Sequence, residues 1–268
     1  MVRQAPATPR FWRDSALPFA ESRSAADSRA CYRPHTHATF SIGVVDAGRS
    51  VFTSHGHSVP LTPGMLVAVP AGCLHACNPA PGARWSYQML HLDVAWMADT
   101  LAHAGAPPAP QTAIVVQAPS AHAAFCALNQ RLFSHACAPA KRAALTRFLT
   151  EGTWRSGKAV ALTVSSATAP LARVQAILQA RHAEALPLAL LAEVAAMTPR
   201  ALVDAFRTAT GMTPHAYQMD LRINAARSRL REGDAPAEVA CDLGFYDQSH
   251  FHHAFQQRVA TTPGDYRR

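Results

Sequence analysis

Hydrophobic positions change their period along the chain. Between residues 31 and 96 they come in short β-favouring runs cut by Gly and Pro: FSIGVV (40–45), SVFTS (50–54), MLVAVP (65–70) and WSYQMLHL (85–92). Asp46-Ala47-Gly48, Pro63-Gly64 and Ala71-Gly72 separate these runs as turn signals, a spacing that predicts an all-β sandwich or barrel. GAPPAPQ (105–111) predicts a loop. Over 119–150 Phe125, Leu128, Leu132, Leu145, Phe148 and Leu149 fall at helical intervals. Residues 151–170 mix Gly, Ser, Thr and Pro and predict an interdomain linker. From Leu171 onward the pattern is almost wholly helical. Residues 1–30 are polar and rich in Arg, Ala and Ser, which predicts a mobile or loosely packed arm. The expected fold class is α+β multidomain: a β domain followed by helices, then an all-α C-terminal domain.

The helical third repeats itself. Leu202, Phe206, Thr213, Pro214 and Tyr217 recur 49 residues later as Phe251, Phe255, Thr262, Pro263 and Tyr266. Self-similarity at a fixed period marks a supersecondary unit used twice. In the second copy, Pro236–Leu243 predicts a short helix with Val239, Ala240 and Leu243 inward. Gly244 ends it where a helix C-terminus favours positive φ. Asp247 is the N-cap of a helix running from Gln248 to about Arg258, anchored by Phe251 and Phe255. In the first copy, Leu188–Ala196 is the first helix, with Leu191, Ala192 and Ala195 inward. Thr198 caps the second helix, Pro199 opens it, and Leu202 and Phe206 anchor it. The first turn is one residue shorter and carries Ala196 where the second has Gly244. Two short helices joined by a tight turn make a helix-turn-helix, expected at about 188–208 and 236–258. The outer face is Arg200, Val203, Asp204 and Arg207 in one copy, and Gln248, Ser249, His252 and His253 in the other. Between the copies, 219–233 predicts a connecting helix capped by Gly233, with Leu221, Ala225 and Leu230 on one side and Arg222, Arg227, Arg229 and Arg231 largely on the other.

Charge adds little. The 268 residues carry a net +8, but from residue 168 onward 11 Arg stand against 10 acidic residues, a net +1. Particular arginines must therefore matter more than bulk field. The six cysteines show no CxxC pair and predict free thiols. No apolar run approaches the ~20 residues of a membrane span, and MVRQAPATPRFWRDS lacks the apolar core of a signal peptide. A cytoplasmic protein without membrane contact is expected.

Residues 171–268 resemble the double helix-turn-helix domain of the AraC/XylS family of bacterial transcription factors. The resemblance rests on Ala240, GFYDQSHFHHAF and TTPGDYRR (261–268), almost position by position. It implies a non-enzymatic regulator that places two recognition helices in major-groove segments about one turn, ~34 Å, apart. By this resemblance Arg200, Val203, Asp204, Arg207, Gln248, Ser249, His252 and His253 face double-stranded promoter DNA. Arg200 would pair with guanine, Gln248 with adenine, and Val203 would touch a thymine methyl.

His35-x-His37-x3-Ser41-x6-Gly48 and Gly64-x5-Pro70-x-Gly72-x2-His75 resemble the two motifs of the cupin β-barrel superfamily, with Ser41 where the pattern has Glu. This implies a cupin-like sensor over 31–110 whose His35, His37, His75, Tyr87 and His91 bind a small-molecule effector, with Arg84 and Trp85 nearby. No metal and no cofactor is expected. The rival is a metal-binding cupin, sensor or enzyme, using His35, His37 and His75 as imidazole ligands with a thiolate from Cys73 or Cys77. Residues 111–150 form a helical connector, either a dimerisation surface or ordinary core helices. The family resemblance further implies a homodimer and a surface for RNA polymerase.

Overall fold

A computed structural model describes residues 9–155, 158–162 and 168–267; the first eight residues of the expected arm and parts of the expected linker lie outside the described residues. The chain divides into two compact units: Met1–Ala30, His37–Cys73 and Cys77–Thr163 in one, Cys31–Thr36, Leu74–Ala76 and Val164–Arg268 in the other.

The first unit is built on β-strands: β1 (Arg10–Trp12), β2 (Ala20–Ser28), β3 (Phe40–Gly48), β4 (Ser50–Ser54), β5 (His57–Leu61), β6 (Met65–Val69), β7 (Ala76–Pro79), β8 (Trp85–Leu92), β9 (Ala113–Gln117) and β10 (Lys158–Leu162). They form a seven-stranded sheet in the order β1-β2-β8-β3-β6-β9-β10 and a three-stranded sheet β5-β4-β7. Helices α1 (Val94–His103), α2 (Pro119–Phe133) and α3 (Ala138–Glu151) accompany them. Strand side chains alternate between faces. Phe40, Ile42 and Val44, with Leu66, Ala68, Leu90, Leu92 and Val116, pack against Met97, Leu101, Phe125, Leu128, Leu132, Leu145, Phe148 and Leu149 of the helices. The alternate positions, Ser41, Gly43 and Val45 of β3, stand opposite His91, Met89 and Tyr87 of β8 on the other face.

Two sequence expectations fail here. The arm is part of the fold over its described residues: β2 pairs along its length with β8, and Trp12, Leu17 and Ala20 join the core. Polar composition misled because Glu21 and Ser22 of β2 are buried with partners. Arg13 Nε donates to Glu21 at 2.8 Å and Ser22 Oγ to the Met89 carbonyl at 3.1 Å. The expected linker likewise holds a 3-10 turn, Thr153–Arg155, with Trp154 fully buried, and strand β10 paired antiparallel to β9.

The second unit carries α4 (Ala169–Ala180), α5 (Leu188–Val194), α6 (Pro199–Thr210), α7 (Pro214–Glu232), α8 (Pro236–Asp242), α9 (Gln248–Val259) and α10 (Pro263–Arg267). Helix α7 ends at Gly233 with φ +100°, as expected. Its buried stripe is Met219, Ile223, Ala226 and Leu230; Leu221 packs half-buried against the Leu171 cluster, Ala225 is half-buried, and Arg222 is buried rather than solvated. The Arg222 guanidinium is satisfied by backbone: it donates to the carbonyls of His182 (2.6 Å), Glu184 (2.9 Å) and Gly244. A buried cation held by several carbonyls replaces its lost water. Among the described residues no helix is long and apolar enough to cross a membrane.

Asp220 of α7 is also buried. It accepts from the Thr36 amide at 3.0 Å and hydroxyl at 2.6 Å, with Arg258 Nε at 3.8 Å. Burial outweighs the Thr36 hydrogen bonds and Arg258, pushing its carboxyl up to about 6. The folded state thus retains a proton that the unfolded chain gives up near its ordinary 3.8. This contribution to stability is fully present below about pH 4 and is lost as pH rises through 6. Asp220→Asn should therefore become progressively more stable than the parent across that window, by roughly 2–3 kcal/mol at most. Denaturant unfolding of both proteins from pH 4 to 7 measures the difference; a gap that does not change with pH would contradict it.

Candidate nucleic-acid interface and sensor site

The repeated residues do the same job twice. Thr198 accepts from the Ala201 amide at 3.2 Å to cap α6, and Asp247 from the His250 amide at 2.7 Å to cap α9. Leu202, Phe206, Phe251 and Phe255 are fully buried. Each second Phe meets the Tyr of the following Thr-Pro-x2-Tyr segment edge to face: Phe206–Tyr217 at 5.6 Å and Phe255–Tyr266 at 5.4 Å between ring centroids. The repeated threonines cap those following helices, Thr213 accepting from Ala216 at 3.2 Å and Thr262 from Asp265 at 3.1 Å. Behind α6 lie Leu171, Val174, Leu178, Leu191, Ala192 and Ala195. Val239, Ala240 and Leu243 are buried in the second copy.

This scaffold turns one face of each second helix outward. Arg200, Asp204 and Arg207 are exposed and Val203 is half-buried; Gln248, Ser249 and His253 are exposed and His252 is half-buried. Gln248, Ser249, His252 and His253 line a single shallow concavity together with Gln256. Sequence reasoning missed Gln256, although the 49-residue offset pointed to it as the counterpart of Arg207. The exposed groups offer guanidinium and amide hydrogen-bond donors and imidazoles, side chains able to meet base edges or phosphates.

The turns differ as expected. After α5, Ala196 sits at φ +53°; after α8, Gly244 sits at φ +70°. The pattern inverts at the far ends, where Gly211 closes α6 at φ +78° and Ala260 closes α9 at φ +54°. A Cβ in this left-handed region costs about 1–2 kcal/mol. Ala196→Gly should thus stabilise the second unit by about 0.5–1 kcal/mol, after glycine's greater unfolded freedom is subtracted. A thermal melt that falls rather than rises would contradict this.

In the first unit, His37, Tyr87 and His91 are all buried. Ser41, standing where the cupin pattern has Glu, lies 2.9 Å from His91 Nδ1, and the His37 and His91 rings are 4.6 Å apart. Tyr87 stacks on Trp85 at 4.1 Å. Arg84 instead pairs with Asp27 at the surface. Gly48 must be glycine: at φ +76°, a Cβ there would meet the Arg84 carbonyl oxygen at 2.2 Å. The sequence missed Arg23 of β2, which is buried with its guanidinium 5.6 Å from the Tyr87 ring centre. His35 and His75 belong to the second unit, where they form an antiparallel bridge with both N–H···O distances at 3.0 Å and rings 4.6 Å apart. Burial holds the two nearby cysteines as thiols, Cys77 pushed up to about 12 and Cys73 also raised.

These features define a helix-turn-helix protein with an attached β-rich sensor. Residues 191–268 match a helix-turn-helix domain model and residues 20–156 match the AraC-like ligand binding domain. The chain belongs to the AraC family of regulators. Similar proteins include the HTH-type transcriptional regulator MtrA of Neisseria gonorrhoeae, 32% identical over 73 residues (27% of this chain, 24% of that protein). The RCS-specific HTH-type transcriptional activator RclR of Escherichia coli is 33% identical over 78 residues (29% and 28%). The match thus spans about a quarter of the length of such relatives. In structure, ToxT of Vibrio cholerae superimposes with a TM-score of 0.59 at 10% identity, covering 93% of this chain and 97% of ToxT. ToxT bound to an unsaturated fatty acid gives 0.56 at 12%, covering 98% and 96%. That likeness establishes the two-domain fold.

Proposed function

We propose that this chain is a sequence-specific regulator of transcription that binds promoter DNA through α6 and α9 and answers a small molecule held by its β-rich unit. The observation that carries this reading is one scaffold presenting two different polar faces: Arg200, Val203, Asp204 and Arg207 on one helix, Gln248, Ser249, His252, His253 and Gln256 on the other. The caps and anchors serve stability; the unlike outer faces are what stability leaves unexplained. In domain terms, 171–268 binds DNA and the β-rich unit is the sensor; the expected 31–110 bounds are too narrow, since β1, β2, β9 and β10 share its sheet, and the helices of 111–150 are core helices of that unit rather than a separate connector. The effector site is centred on His37, Tyr87 and His91 of the β-rich unit. Effector binding shifts the population between two states of the regulator, altering half-site occupancy or the surface offered to RNA polymerase. The protein works as a homodimer in the cytoplasm and performs no catalysis.

Footprinting at promoters neighbouring its gene tests this reading. Arg200→Ala with Arg207→Ala should erase protection over one part of the site, and Gln248→Ala with Gln256→Ala over the other, each weakening affinity by about 10- to 100-fold. Unchanged protection with both pairs altered would overturn the assignment.

A further inference from the structure

A second cluster of metal-ligating side chains lies in the first unit, on the helix-covered side of the large sheet. His122 and Cys126 stand one turn apart on α2, so both side chains reach the same spot. Asp46, near the end of β3, meets them there. His122 Nε2 is 3.3 Å from Asp46 Oδ1, Cys126 Sγ is 3.8 Å from the same oxygen, and Cys126 Sγ is 3.7 Å from His122 Nε2. Tetrahedral zinc with bonds of ~2.0 Å to nitrogen and oxygen and ~2.3 Å to sulfur requires ligand atoms about 3.3–3.6 Å apart. The observed triangle, at 3.3, 3.7 and 3.8 Å, lies within about 0.2 Å of that spacing. The Gln88 amide also donates to Cys126 Sγ at 3.5 Å, while the thiol at 3.8 Å from the carboxylate gains little from it.

The surroundings are also those of a held ligand set. Gln88 of β8 donates to both oxygens of Asp46, at 2.9 and 3.0 Å. Asn129 of α2 donates to Gln88, and Ser22 of β2 donates to Asn129. This relay fixes the carboxylate from behind, as outer-shell partners fix metal ligands. The side chains of His122 and Asp46 are 25% and 29% exposed, which leaves an entry path and a fourth position.

We propose that Asp46, His122 and Cys126 form a zinc-type divalent metal site. One carboxylate, one thiolate and one neutral imidazole would neutralise a divalent ion, and the mixed oxygen, nitrogen and sulfur set suits a borderline-soft metal. The three ligands link β3 to α2, so an ion would tie the sheet to its covering helix.

Cobalt(II) titration of the chelator-stripped full-length protein, under reducing conditions, tests the site. One equivalent should produce a thiolate-to-cobalt charge-transfer band with d–d bands of tetrahedral intensity, and zinc should abolish both. Cys126→Ser should remove the charge-transfer band. His122→Gln and Asp46→Asn should weaken cobalt affinity by more than about 100-fold, and Gln88→Leu by about 10-fold. Cys73→Ser and His37→Gln should change neither spectrum nor affinity. A band that is absent, that survives Cys126→Ser, or that disappears in Cys73→Ser overturns the proposal. If Cys126→Ser does not fold, as judged by circular dichroism, the partly exposed His122→Gln decides alone: undiminished affinity overturns it.

Discussion

Phe255→Ala will cost the second unit about 3–5 kcal/mol, the range for emptying a fully buried aromatic site. Phe255 has no exposed surface and contacts Phe251 and Tyr266, with ring centroids 5.6 and 5.4 Å away. Its loss removes the wedge that sets α9 against the body of the second copy, so DNA affinity falls with stability. Phe255→Leu, which keeps most of the volume, should cost under about 1.5 kcal/mol and retain binding. Denaturant unfolding of the three proteins measures the series. A cost below about 1 kcal/mol for alanine would mean that the repeat residues do not carry the fold.

Gly244→Ala should destabilise by about 3 kcal/mol or more, a large effect for one methyl group. Two costs add. The residue sits at φ +70°, and its Cβ would lie 2.0 Å from the Ala183 carbonyl oxygen and 3.2 Å from Arg222 Nη2. The first cost is about 1–2 kcal/mol. The second forces the 182–184 backbone away from Arg222, which is held by the carbonyls on both sides of this approach. The opposite substitution at the equivalent turn, Ala196→Gly, is expected to stabilise. Melting the two variants side by side checks both signs; a neutral Gly244→Ala would show that the turn relaxes without cost.

The helical half was more legible than the β half, for a physical reason. Caps, αL turn residues and paired aromatic anchors are local signals. Thr198, Asp247, Gly244, Phe206 and Phe255 each act within a few residues of their own position. Strands β3, β4, β6 and β8 were readable because their apolar runs are bounded by turns. Strand β2 was not, since AESRSAADS owes its place to partners far along the chain, Met89 and Asn129 among them. Strand β10 and Trp154 were hidden for the same reason, inside a Gly/Ser/Thr-rich stretch. On α7 the charges misled: Arg222 looks solvent-facing until the carbonyls of His182, Glu184 and Gly244 come to meet it. Of the outer faces, eight positions followed from the helix period, and Gln256 would have followed from the repeat offset. The Asp46, His122 and Cys126 convergence had only half a signal, the i, i+4 spacing on α2. Nothing in sequence announces that the end of β3 lies beside it.

The repeat keeps the scaffold and varies the outer faces, so on the proposed reading the target should be asymmetric within one protomer. In vitro selection from a random DNA library with the full-length chain tests this most directly. The expected result is an enriched site with two different elements about one helical turn apart, of which Gln248→Ala with Gln256→Ala degrades one and leaves the other intact. Selection of no sequence at all, or of one element repeated identically under α6 and α9, would contradict it.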